Sequence, residues 1–153
     1  MTTTATRPTA RRRLAAAIAL LSAATFAFAA EVGLVKTSKG EVSITRAGAK
    51  LPGPVGTKLE AADVLSTGAD GAVGITMADG SLLSIGPNSV LSLDAFAFDP
   101  TTFEGKFDST LSKGTLAVVS GKVAKQSPEA MKVRTPAAVL GVRGTEFVVF
   151  VDG

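Results

Sequence analysis

The chain contains no cysteine, histidine, tryptophan or tyrosine. Without cysteine there is no disulfide, no thiol nucleophile and no lipid-modified cysteine anchor. Without histidine, the commonest general base and a common metal ligand are missing. Without tryptophan or tyrosine, phenylalanine is the only aromatic side chain that can stack on bases or sugars. These absences predict a protein that is not an enzyme, has no cofactor and does not bind nucleic acid.

The N-terminal segment has the pattern of a secretory signal peptide. Arg7 and three arginines at positions 11–13 precede an uncharged, alanine-rich apolar run that begins at Leu14. Ala27 and Ala29 form an A-x-A site, which predicts cleavage before the next residue. We therefore expect a signal peptide over residues 1–29 and a periplasmic or secreted β domain over residues 30–153.

An uncleaved signal anchor is the alternative for this segment, because the apolar run of about 17 residues is close to the shortest that spans a bilayer. After cleavage no stable membrane span would remain. Cleavage also changes the charge, since four of the 16 basic residues lie in the signal and all 13 acidic residues follow it. Twelve basic residues then oppose thirteen acidic ones, which gives a net charge of −1. No basic cluster remains to follow a phosphate backbone, in agreement with the absence of nucleic-acid binding.

Short apolar segments separated by frequent turn signals run through the remaining chain, which is typical of an all-β domain. Asx residues at positions 70, 79 and 88 recur at a period of nine, and each predicts a chain reversal or a solenoid corner. Between these turns, residue types alternate so that one face of each strand should be buried, over residues 72–77, 82–85 and 90–93. Spacing alone leaves two architectures open, a solenoid-like twisted two-sheet domain and a β-sandwich or meander.

Other segments give more local expectations. Residues 32–35 and 41–45 flank a glycine turn and predict a β-hairpin. Phenylalanines cluster in residues 94–108, which predicts a long connection pinned to the core by aromatic side chains. Residues 111–119 and 121–124 predict strands that continue the sheet.

The C-terminal segment carries the most specific pattern of the chain. The Thr135-Pro136 step should end a strand, because proline lacks a backbone N–H and holds the preceding residue extended. A loop over residues 137–140 and a glycine-flanked arginine then lead to an apolar strand that ends near Val151. The motif comprises Thr135, Pro136, Gly141, Val142, Arg143, Gly144, Thr145, Glu146 and Phe147.

This motif resembles the signature of the FecR domain family, and segments around residues 56–81, 114–116 and 121–123 are similar to other blocks of the family. The resemblance implies a β-rich, solenoid-like envelope domain with two facing sheets, of a kind best known from ferric-citrate signalling. Family members that act as iron-siderophore transducers also have a cytoplasmic anti-sigma segment, a membrane-spanning helix and a further C-terminal domain. Those parts are not recognisable in this sequence, so we expect that this chain alone does not signal across a membrane.

Arg143 is the first candidate contact for a partner or ligand. Its guanidinium either hydrogen-bonds carbonyls or an acid within the fold, or receives an anionic ligand. Because Arg143 and Glu146 lie three residues apart, they should point to opposite faces of an extended strand and not bridge each other. Phe96, Phe98 and Phe103 are the other candidates, either as plugs of the core or as an apolar contact patch.

Asp70 and Asp79 are weaker candidates, as calcium ligands. They repeat every nine residues next to glycine, as aspartates do in calcium-binding β-rolls, although turn chemistry explains them without a metal. No other residues suggest a metal site.

Together these patterns predict an exported, non-catalytic envelope domain that acts as a binding or signalling-associated interaction module. Its expected partner is an envelope or membrane protein. One alternative is a structural module that assembles laterally through exposed end strands, since the last strand could lie at an edge and pair with another backbone. The other alternative is a small-ligand or calcium-binding domain.

Overall fold

The computed structural model of the protein describes residues 1–2, 30–143 and 145–153. Apart from its first two residues, the predicted signal peptide lies outside the described residues. The described chain has twelve strands, one short α-helix (α1) and one 3₁₀ helix. In chain order the elements are β1 (Glu31–Lys39), β2 (Val42–Arg46), β3 (Ala49–Pro52), β4 (Lys58–Glu60), β5 (Val64–Thr67), β6 (Ala72–Met77), β7 (Leu82–Ile85), β8 (Val90–Phe98), β9 (Gly105–Val119), α1 (Lys122–Gln126), the 3₁₀ helix (Pro128–Ala130), β10 (Met131–Arg134), β11 (Val139–Gly141) and β12 (Glu146–Val151).

The strands form a strongly curled sheet whose two halves share the long strand β9 and enclose one core. Half A has the order β4-β1-β6-β7-β9-β12, and half B has the order β3-β2-β5-β8-β9-β10-β11. Strands β9 and β10 pair in parallel, and the other described pairs are antiparallel. The prediction of an all-β fold is confirmed, and the sandwich or meander alternative describes the connections better than a solenoid does.

Alternating burial along the strands builds the core. Val73, Ile75 and Met77 of β6 are each 2% exposed, as the alternation in the sequence predicted. Leu91 and Leu93 of β8 are fully buried from the opposite half. Burying one such side chain stabilises a fold by about 1.5–3 kcal/mol, so the shared core holds the two halves together.

The predicted hairpin between residues 32–35 and 41–45 is wrong. Strand β1 pairs with β4 and β6 in half A, whereas β2 pairs with β3 and β5 in half B. The chain passes between the halves at Gly40, whose φ of 63° lies in the left-handed region that glycine tolerates. Of the three periodic turns, the one at Asp79 closes the β6–β7 hairpin, and the other two are corners between the halves.

The predicted long connection over residues 94–108 is also wrong, because most of it is a hairpin of β8 and β9. Phe96 lies opposite Phe107, and Phe98 lies opposite Gly105. The turn is held by the Asp99 carboxylate, which accepts hydrogen bonds from the backbone N–H groups of Thr101 and Thr102. These bonds, the one from Thr101 first, lower the pKa of Asp99.

Residues 121–124, predicted as a strand, instead begin helix α1. The turn at Asp79 accounts for this difference. The Asp79 carbonyl accepts a hydrogen bond from Lys122 N–H (2.9 Å), and its carboxylate accepts one from Val123 N–H (3.3 Å). A five-residue helix is too short to be stable by propensity, so it depends on this contact from a distant part of the chain.

Candidate interaction surface

The C-terminal motif occupies β10, β11, β12 and their connections. Strand β10 ends at Arg134, immediately before Thr135-Pro136, as predicted. The Thr135 N–H donates to the Ala138 carbonyl (2.8 Å), and the Thr135 hydroxyl oxygen accepts from the Ala138 N–H (3.1 Å). This turn reverses the chain so that β11 pairs antiparallel with β10. The predicted loop over residues 137–140 is therefore shorter, because Val139 already begins a strand.

Strands β11 and β12 are both edge strands. In the described chain β11 pairs only with β10, and β12 pairs only with β9. One ends half B and the other ends half A, and both lie on the same side of the shared strand β9. We call this pair of strands, residues 139–141 and 146–151, the open edge.

A groove of about 220 Å³ runs along the open edge. Val142 is buried at its base, and Phe147 packs partly against the core. Arg143 is exposed on its rim. The lining residues are Leu140, Gly141, Val142, Arg143, Phe147, Val148 and Val149.

Large apolar side chains of the open edge face solvent. Val139 is 62% exposed, Val148 is 64% exposed and Phe150 is 70% exposed. Exposed apolar side chains that adjoin one another at a strand edge are typical of a contact surface, whereas isolated ones are ordinary. The open edge therefore combines apolar surface with backbone groups that lack a neighbouring strand.

The opposite edges of the two halves have a different character. Strand β3 is four residues long and contains Lys50 and Pro52, and β4 is three residues long. Lys58 of β4 forms an ion pair with Glu31 of β1 (2.9 Å). Short strands, lysine and proline are the features that protect an edge from pairing with another chain. The open edge has no lysine or proline in its two strands.

The Arg143 guanidinium makes no hydrogen bond or ion pair with any other residue that the structure describes. This exposed position does not agree with the alternative in which the Arg143 guanidinium hydrogen-bonds carbonyls or an acid within the fold. Glu146 is also exposed and forms no ion pair with Arg143. The following glycine of the motif, Gly144, lies outside the described residues.

The three candidate phenylalanines lie elsewhere and do not line this groove. Phe96 is half-buried and packs edge to face on Phe107, with 5.5 Å between ring centroids. Phe98 stacks on Phe103 (6.4 Å), and the Lys122 ammonium lies 4.7 Å from the centre of the Phe103 ring. Phe98 and Phe103 thus form a small separate patch at the tip of the β8–β9 hairpin.

The two calcium candidates have turn roles. Asp70 is exposed and accepts a hydrogen bond from Glu41 N–H (3.3 Å) at a corner between the halves. Asp79 is 1% exposed, and its carboxylate oxygens accept hydrogen bonds from the N–H and hydroxyl of Ser81 (3.0 and 2.8 Å). Within the described residues, no group of three or more acidic side chains is placed to hold a metal ion.

An ion pair between the partly exposed Arg46 and the buried Asp63 was not predicted. The Asp63 carboxylate is fully buried and accepts two hydrogen bonds from the Arg46 guanidinium (2.9 and 2.7 Å). Arg46 also donates to Glu60 (2.8 Å), and the Glu60 N–H donates to Asp63 (2.9 Å). The hydrogen bond to Asp63 is the main cause of the raised pKa of Arg46. No local pattern joins residues 17 positions apart, so this network is visible only in the fold.

The FecR protein family model matches residues 63–153, more than half of the chain. Comparison with curated proteins gives no match, and comparison with solved structures gives none either. FecR domains are signalling-associated and non-catalytic, they interact with membrane proteins, and the family is typically periplasmic or envelope-associated. In the part of this chain that the structure describes, no helix has the length and apolar character needed to cross a membrane. The match includes β5 to β12 and the whole open edge, and this chain belongs to the FecR protein family.

Proposed function

We propose that this chain is an exported, non-catalytic interaction module of the cell envelope, and that the open edge is its protein-binding surface. The observation that best supports the proposal is the groove between β11 and β12, where two strand edges flank exposed apolar side chains and Arg143. In this proposal residues 1–29 are removed as a signal peptide and residues 30–153 form the periplasmic or secreted domain. The arginine-rich start, the alanine-rich run and the usual location of the family support that placement.

The chemistry of the open edge favours an extended protein segment as ligand. A strand edge binds such a segment through main-chain hydrogen bonds, and pockets for alternate side chains provide specificity. Arg143 adds a planar cation at the rim that matches a carboxylate in geometry. The partner that fits is an envelope or membrane protein that presents an apolar extended segment with an acidic residue.

Site-specific photo-crosslinking in intact cells tests this proposal. A photoreactive residue at Leu140 should form an adduct with one envelope or membrane protein. The same residue at Lys36, which is exposed on β1 in half A, should not form it. Equal adducts from both positions would contradict a specific surface.

Arg143→Ala is the companion variant. We expect it to reduce the adduct yield from Leu140 several-fold, because the partner carboxylate loses its charged hydrogen-bond donor. Lys132→Ala is the matched control, since Lys132 is an exposed basic residue on the neighbouring strand β10. Both variants should retain the β-sheet circular dichroism spectrum. A folded Arg143→Ala protein with full adduct yield would remove Arg143 from the binding surface.

A structural role is the second candidate function, in which the module assembles laterally in the envelope. The unprotected edge of β12 favours it over a small-ligand or calcium-binding role.

A further inference from the structure

We infer that β12 pairs with β12 of a second copy of this chain, antiparallel and centred on Val148. This inference rests on the proposed function, because it names a partner for the open edge.

The hydrogen-bond pattern of β12 determines which of its backbone groups are free. The Ser120 N–H donates to the Thr145 carbonyl (2.7 Å), and Val119 lies opposite Glu146. Along a strand, successive residues direct their backbone N–H and C=O groups to opposite sides. The backbone groups of residues 145, 147, 149 and 151 therefore point toward β9. Glu146, Val148 and Phe150 therefore direct N–H and C=O away from β9, and none of these groups has another backbone partner in the described chain.

These three residues form a self-complementary ladder. In a two-fold arrangement centred on Val148, this residue faces its own copy, and Glu146 faces Phe150 of the second copy. Each facing pair exchanges two main-chain hydrogen bonds, so three pairs make about six bonds. Every outward backbone group of β12 is then satisfied.

The charges favour this register over the one centred on Val149. The two Glu146 residues lie four positions apart along the joined strands, about 13 Å at 3.3 Å per residue. That distance exceeds the screening length of about 8–10 Å at moderate ionic strength, so their repulsion is small. A register centred on Val149 would place Glu146 opposite Asp152 twice, and like charges directly opposite each other destabilise a strand pair.

The side chains of this surface match an identical surface. The outward residues Val148 and Phe150 share their face of the sheet with an apolar strip formed by Val119 (39% exposed) and Leu82 (47% exposed), which is in register with Glu146. Apart from Glu146, the residues on this face of β12, β7, β6 and residues 115–119 of β9 are uncharged. An apolar strip with one peripheral charge pairs best with another of the same kind.

The protected opposite edges exclude a head-to-tail filament. Strands β3 and β4 are short and carry Lys50, Pro52 and Lys58, so they do not offer a partner ladder for β12. Strand β11 has three residues and β12 has six, so a closed two-fold dimer through β12 is the arrangement that offers the longer ladder.

Cysteine crosslinking tests the register directly, because the chain has no native cysteine. Residues in a directly facing, hydrogen-bonded antiparallel pair have Cα atoms about 5.5 Å apart, within the range of about 4.4–6.8 Å for a disulfide. Purified Val148→Cys protein should therefore form disulfide-linked dimers under mild oxidation. Phe150→Cys is the matched control, because this residue is equally exposed on the same strand. In the proposed dimer the two copies of residue 150 lie about 13 Å apart along the ladder, too far for a disulfide. The Glu146→Cys/Phe150→Cys double variant should crosslink again.

Sedimentation of unmodified protein gives an independent readout. We expect a monomer–dimer equilibrium that Val148→Lys abolishes, because two ammonium groups would then face each other. Leu82→Lys, on the same face but away from the edge, should still dimerise.

Equal crosslinking of Val148→Cys and Phe150→Cys would overturn the inferred register. A protein that stays monomeric up to about 1 mM would overturn the self-association. If photo-crosslinking from Leu140 still identifies an envelope protein in that case, the proposed function stands without this inference. If the protein neither self-associates nor forms a specific adduct from Leu140, the proposed function and this inference are both overturned.

Discussion

Arg46→Met is expected to lower the free energy of unfolding by about 3–5 kcal/mol. The substitution retains an apolar stem but leaves the fully buried Asp63 carboxylate without its counter-charge. One backbone hydrogen bond, from the Glu60 N–H, would remain for that carboxylate. Domains are stable by only about 5–15 kcal/mol, so this variant should lose a large part of its stability. Urea unfolding followed by circular dichroism measures the change.

Glu60→Gln is the matched control for this network. Glu60 contacts the same guanidinium (2.8 Å), but its side chain is 29% exposed. A partly exposed ion pair contributes less than about 1 kcal/mol, so this variant should be close to the unmodified protein. Adding Asp63→Asn to Arg46→Met should recover stability, because it removes the unpaired buried charge. Equal effects of Arg46→Met and Glu60→Gln would show that burial of Asp63 is not the source of the stabilisation.

Gly114→Ala is expected either to prevent stable folding or to lower the free energy of unfolding strongly. The loss should be at least about 2–3 kcal/mol larger than the loss caused by alanine at a glycine that has free space around it. Gly114 lies where β9 passes from half B to half A, with a φ of 90°. A Cβ atom there would overlap Ser89, whose hydroxyl oxygen accepts a hydrogen bond from the Thr115 N–H (2.9 Å). The variant would therefore strain the strand on which both halves depend.

Gly56→Ala separates the steric effect from the backbone effect. Gly56 has nearly the same φ, 89°, but a Cβ there would meet no heavy atom within 4 Å. Its substitution should cost only the strain of a positive φ, about 1–2 kcal/mol. If thermal unfolding shows the same loss for both variants, contact with Ser89 is not what requires glycine at position 114.

Local sequence patterns predict where the strands of this fold lie better than they predict which strands pair with each other. The alternation of Val73, Ile75 and Met77 gives β6 and its buried face, because burial on one side of a strand repeats every two residues. The turn at Gly40 could not be assigned to a hairpin or to a corner between the halves. Both need the same positive φ, and the choice depends on pairing with β4, β5 and β6, which are distant in sequence.

The candidate surface was predictable in part. The motif around Arg143 and the possible edge position of the last strand follow from sequence. The sequence does not show which residues of β12 have free backbone groups. The register with β9 and one hydrogen bond from Ser120 identify them as Glu146, Val148 and Phe150. Helix α1 could not be predicted, because its first turn is held by Asp79 from another hairpin.

Residue-resolved amide hydrogen exchange along β12 is the most direct test of the open edge as a binding surface. In dilute monomeric protein, the amides of Val149 and Val151 should exchange slowly because they face β9, and those of Val148 and Phe150 should exchange rapidly. On association with a second copy or with the captured partner, the rapid pair should become protected while the slow pair changes little. Protection of Val148 and Phe150 that is already present in the monomer, or that does not change on association, would contradict binding at this edge.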